Sequence, residues 1–89
     1  MTVVAFPSPI PSTQAVLATI YKLGHSFPRW SLELDVSEDG RPSVTAERRA
    51  TGGSLSAHWD HRGWAVLDED MGVVAHAADL WTALSRALV

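Results

Sequence analysis

His58, Asp60 and His61 stand within four positions of one another, and His76 follows on a later segment that a small sheet would bring close to them. Two or three imidazoles with a carboxylate are a donor set for a divalent metal. His58 and His61, however, flank a turn, with no helix face to fix their direction and no group placed to orient the rings through their second nitrogens. The reading is therefore solvated turn histidines, with no metal and no cofactor.

Asp68-Glu69-Asp70 precedes Met71-Gly72 and superficially suits calcium, but the alternating ligand positions and the downstream bidentate glutamate of a calcium loop are missing. A turn exposed to water is the expectation. The serines form no Gly-x-Ser-x-Gly elbow, and Gly52-Gly53 joins two strand-like segments instead of opening a helix, so neither an acyl-transfer nucleophile nor a phosphate loop is present. No catalytic residue is assigned and no enzyme is expected.

Arg48-Arg49 is the one basic pair, with Arg41 and Arg62 in nearby hairpins. Consecutive strand residues point to opposite faces, so the two do not make a single patch. Salt bridges to Glu33, Asp35 or Glu47 are their expected use. Four tryptophans, Trp30, Trp59, Trp64 and Trp81, are many for 89 residues. Core filling accounts for them first, although tryptophan is also enriched where proteins bind each other.

The elements that hold these groups follow from spacing. Ser12 or Thr13 caps a first helix from about Thr13 to Leu23, with Val16, Leu17, Ile20 and Leu23 as its apolar stripe, Gly24 as a left-handed stop, and Tyr21 and Ala18 covered as well. Trp30, Leu32, Leu34 and Val36 alternate with polar residues to form the clearest strand, and Asp39-Gly40 turns it into a second strand from Val44 to Arg49. Leu55, Ala57 and Trp59 are the inward set of a third. A tight turn at Asp60 to Gly63 leads into a fourth, from Trp64 to Leu67, and a short fifth runs from Val73 to His76. A last helix, about Ala78 to Leu88, carries Leu80, Trp81, Leu84, Ala87 and Leu88 on one side, with Asp79 at its positive end.

The order predicts an α+β domain: an antiparallel meander of four or five strands with both helices on one face. Ser31, Glu33, Asp35, Thr45, Glu47, Arg49, Ser56 and His58 would line the other face, solvated. Residues 1–11, apolar as far as Phe6 and then proline at every second position from Pro7 to Pro11, read as an extended arm, and residues 12–89 as a single domain. The helix-strands-helix order resembles that of double-stranded RNA-binding domains. Those place basic residues at the start of the last helix, where this chain has Ala77-Ala78-Asp79, so the resemblance implies a topology and no RNA binding.

Composition narrows the function classes. The chain lacks cysteine, so disulfides, thiolate nucleophiles and zinc-thiolate sites are excluded, which fits a reducing compartment. No apolar run is long enough to span a bilayer, and no basic residue precedes an apolar run at the N-terminus, so a cytoplasmic location without a membrane is expected. The abundance of arginine over lysine, with much alanine, matches a GC-rich bacterial or phage genome. Residues 1–29 carry +2, residues 30–62 carry −2 and residues 63–89 carry −3, so no segment has the basic excess that draws a protein to phosphate backbones.

What is left is a small non-enzymatic interaction module of regulatory or accessory type that binds another protein or itself as a homodimer. The partner contacts expected from the arm, the arginine pair and the last helix are Phe6, Ile10, Arg48, Arg49, Trp81 and Leu88. Two alternatives follow: nucleic-acid binding through the sheet arginines, and a small metal- or ligand-binding protein.

Overall fold

The structure is a computed structural model describing residues 10–60 and 62–89. The element order is α1 (Thr13–Ser26), β1 (Trp30–Val36), β2 (Pro42–Arg48), β3 (Ser54–Asp60), β4 (Gly63–Leu67), β5 (Val73–Ala77) and α2 (Leu80–Ala87). The strands form one antiparallel sheet in chain order, β1-β2-β3-β4-β5. This is the α+β meander that the alternation predicts. The arm residues Met1 to Pro9, Phe6 among them, and His61 lie outside the described residues. Ile10 and Pro11 have no regular secondary structure.

Both helices pack on the face where every strand puts its apolar residues. α1 lies on β1 and touches α2, and α2 crosses β5 and β4. Leu23, Val44, Ala46, Ala57, Val66, Ala83 and Leu84 are fully buried between the layers, and Trp30, Trp59, Leu32 and Leu55 pack around them. Burial of this apolar surface is the main force holding helices to sheet, since no polar or charged residue is buried among those described.

α1 begins on Ser12, whose backbone is extended (φ −68°, ψ 148°) and whose Oγ accepts from the Ala15 N–H at 3.1 Å, satisfying one of the free donors of the first turn. It ends differently from the sequence expectation. Gly24 stays helical, and the helix runs on to Ser26 with the Phe27 N–H bonded to the Leu23 carbonyl at 2.8 Å. The stop is Pro28: a proline disfavours helical backbone in the residue before it, and Phe27 has left the helical region at φ −129°, ψ 67°. Phe27 also packs against the core one turn beyond Leu23, which rewards the extra turn.

β1 and β2 are paired along seven residues, Trp30 opposite Arg48 through Val36 opposite Pro42. The second strand thus starts two residues earlier than expected and takes in Pro42. Gly40, at φ 84°, makes the turn between them. The Asp60 and Gly63 pair closes the β3-β4 hairpin, and Trp59 and Trp64 face each other one step in, as the sequence suggests. Gly63 is required there: its φ is 141°, and a Cβ would collide with the Ala77 carbonyl oxygen and meet the Ala78 Cα at 2.9 Å. The turn before β5 is held by Asp68, whose Oδ1 accepts from the N–H groups of Asp70 (3.0 Å) and Gly72 (2.8 Å).

Candidate functional site

The residues with catalytic or metal-binding chemistry do not converge. His58 Nε2 lies 3.1 Å from the Ser56 hydroxyl, while His76 Nε2 is 4.0 Å from Asp60 Oδ2. The register puts His58 and His76 on either side of Ala65, two strands apart. Among the described residues no group of three histidine or acidic side chains comes together to hold a metal ion. The acids of the β4-β5 turn are engaged as structure: Asp68 closes its own turn, and Glu69 Oε1 accepts from the Ser54 N–H at 2.9 Å, tying that turn to the start of β3. They rim a shallow groove of about 340 Å³ at the end of the sheet, with Trp30 and Arg48 on its other side.

The two arginines make separate contacts, and neither forms the expected salt bridges. The Arg48 guanidinium carbon stands 5.2 Å from the Trp30 ring centre, across the pair that joins β1 and β2. A cation over an indole face is attracted by the negative charge of the ring. Arg49 instead borders a groove with Ser31 and Tyr21. Among the described residues no ion pair reaches Glu33, Asp35 or Glu47; the ion pairs found are Arg41 with Asp39 and His76 with Asp60.

The other expected contacts separate by burial. Leu88 is only 3% exposed and belongs to the core, because the last turn of α2 folds down onto the sheet, so it offers no surface to a partner. Trp81 turns off the core side of α2 and is 40% exposed, bordering a small groove with Thr19 and Lys22 between the helices. Ile10 is exposed. Tyr21, expected to be covered, is 74% exposed, and Ala18 is exposed as well. Leu17, one turn before Tyr21 on the same flank of α1, is also open to solvent.

Strand edges complete the picture. β5 is blunted by three features that discourage strand addition: it has five residues, its ladder shifts register at Val66 and Leu67, and the Arg86 side chain donates to the His76 carbonyl at 3.3 Å. β1 has seven residues in unbroken register and none of these devices. The Arg49 N–H bonds to the Arg29 carbonyl and the Ser37 N–H to the Arg41 carbonyl. By the alternation of an antiparallel ladder, Ser31, Glu33 and Asp35 therefore face β2 with their backbone groups, and Trp30, Leu32, Leu34 and Val36 face outward. The Trp30 N–H is taken by the Phe27 carbonyl and the Val36 N–H by Asp35 Oδ1, so the outward N–H groups of Leu32 and Leu34 meet no acceptor among the described residues.

Beside this edge runs a groove of about 380 Å³ between α1 and β1, lined by Ile20, Tyr21, Gly24, Trp30 and Leu32 among others. The edge, the exposed Tyr21 and Leu17, and the open Val36 bring apolar side chains next to unpaired strand backbone; Met71, Val73 and Val74 are exposed at the opposite edge. The sequence hides the α1-β1 surface because Leu17 reads as part of the apolar stripe of α1 and Tyr21 as covered beside it, and both are exposed. The available signal was topological: the first strand of a meander is always an edge. Comparison with protein families, with curated proteins and with solved structures finds no match. No described helix is long and apolar enough to cross a membrane.

Proposed function

We propose that this domain is a non-enzymatic interaction module that binds another protein through the α1-β1 surface. The observation that carries the reading is the contrast in backbone between the two edges of the sheet: β5 is short and blunted by a bulge and by Arg86, although Met71, Val73 and Val74 are exposed there, while β1 is longer, in unbroken register and flanked by the exposed Leu17 and Tyr21 of α1. Unprotected edges invite pairing with other chains, and exposed apolar groups beside one give such a contact its affinity. The scattered histidines and the structural use of Asp68 and Glu69 leave no catalytic constellation among the described residues to favour an enzyme. Acidic residues on the solvated sheet face oppose phosphate binding, which weakens the nucleic-acid alternative.

The test is affinity capture from the source organism's lysate with three forms of the full chain: wild type, Tyr21→Asp on the proposed surface, and Val74→Asp on the opposite edge. A protein retained by wild type and by Val74→Asp but lost with Tyr21→Asp supports the reading. Retention that ignores Tyr21, or no retention by any form, rejects it.

A further inference from the structure

The chemistry of the β1 edge specifies the kind of segment that fits it. Resting on the interaction reading above, we infer that β1 accepts an extended segment of another protein as a sixth strand, with basic side chains on one face and apolar side chains on the other. A strand laid along β1 would bond to the outward N–H groups of Leu32 and Leu34 and extend the ladder. Its side chains would then alternate between the two faces of the sheet. Those on the helix side meet the groove walls, Ile20 and Tyr21, with Leu17 further along the same flank and Val36 at the strand's end, all suited to apolar groups.

Those on the other side stand next to Ser31, Glu33 and Asp35, and Glu47 lies on the same face across from Ser31. No ion pair among the described residues neutralises these three acids. Opposite charges on neighbouring strands stabilise a pair, and like charges destabilise it. Basic residues two apart therefore match Glu33 and Asp35. Arg49, which borders the groove beside Ser31, favours an acidic residue at that end. In antiparallel orientation the fitting sequence reads basic, apolar, basic, apolar, acidic.

The same charges disfavour the two occupants nearest to hand. A second copy added antiparallel about Glu33 or Leu34 sets Glu33 opposite its own counterpart or opposite a second Asp35, which is repulsive. The first nine residues of this chain contain no basic side chain, so they bring nothing to Glu33 and Asp35. The acids thus disfavour the self-pairings centred on Glu33 and Leu34 while leaving the edge open to a basic strand.

The experiment is an NMR titration of the full chain with an acetylated, amidated peptide, Ser-Lys-Val-Lys-Val-Glu-Ser, following shifts and hydrogen exchange of the backbone amides. Controls are the same peptide with Glu for Lys, and a version N-methylated at alternate residues, which keeps the charges but cannot form the ladder. Slowed exchange at Leu32 and Leu34 with the lysine peptide alone is the expected result. Combining Glu33→Lys with Asp35→Lys should then weaken binding about tenfold, two favourable cross-strand pairs having become unfavourable. No protection at Leu32 and Leu34, equal binding by either control, or a dimer joined at β1 in the free protein would overturn the inference. Capture that still depends on Tyr21, without protection by the peptide, would overturn the strand mode alone and leave the interaction module standing.

Discussion

The Arg48 guanidinium is held over the ring of Trp30, 5.2 Å from its centre, by the register that sets these two residues opposite each other at the open end of the β1-β2 hairpin. The contact fastens one end of the edge strand to the strand beside it. Arg48→Ala should lower stability by about 0.5–1 kcal/mol, the range of an exposed cation over an indole. Urea unfolding of the two proteins checks it, and an unchanged midpoint would mean that the stacking contributes nothing.

Asp79 caps α2. Its Oδ2 accepts from the Thr82 N–H at 2.9 Å and its Oδ1 from the Thr82 hydroxyl at 2.9 Å. These two bonds, the backbone one first, favour the ionised carboxylate and hold its pKa below the ordinary value of 3.8. A depressed pKa adds stability that is present above 3.8 and is lost as pH falls through the lower folded value. Asp79→Ala should cost about 1 kcal/mol at neutral pH. Asp79→Asn keeps a good cap without the titration, so its unfolding midpoint should fall less than that of wild type between pH 5 and pH 2. Thermal unfolding across that range tests the difference, and parallel curves would refute it.

Gly63 has no substitute that the fold can absorb. Gly63→Ala combines a left-handed backbone with a Cβ driven against the Ala77 carbonyl and the Ala78 backbone, and should cost about 3 kcal/mol. Arg62→Ala, next to it and exposed, should stay within about 0.5 kcal/mol of wild type. Denaturant unfolding of the pair separates the backbone requirement from a general sensitivity of the turn.

Ser85 offers the opposite case. Its hydroxyl is buried in α2 without a hydrogen-bond partner. Removing an unsatisfied polar atom, together with alanine's better helix propensity, should make Ser85→Ala more stable by about 1 kcal/mol. A raised melting temperature checks this, and a lower one would mean the hydroxyl has a use in solution.

The sheet could be read from the sequence because period-two alternation and turn residues act locally: Trp30 to Val36, Gly40, and the Trp59-Trp64 pair all stand where their spacing puts them. Helix boundaries were less legible. Gly24 permits a left-handed stop but does not compel one, and the tertiary contact of Phe27 together with the restriction imposed by Pro28 moved the end to Ser26. The exposed α1-β1 surface was the least legible part. A helix stripe tells which side is apolar, not how wide a strip the sheet can cover, and α1, lying on an edge strand, leaves Leu17 and Tyr21 outside. Likewise Trp81 and Leu88 both belong to an apolar run, yet only Leu88 points at the sheet. The outward edge donors of Leu32 and Leu34 depend on which parity of the ladder faces β2, a property of pairing that no single strand encodes.

The unbroken meander has a kinetic consequence. Every strand pairs with its neighbour in the chain, so each hairpin closes only a short loop and loses little loop-closure entropy before its contacts form. The joint between α1 and α2 is the exception, since it closes most of the chain at once. Folding should accordingly zip through the hairpins first and lock when the two helices meet, and opening should start by parting the helices, which would loosen the edge strand β1 while the central hairpin still holds.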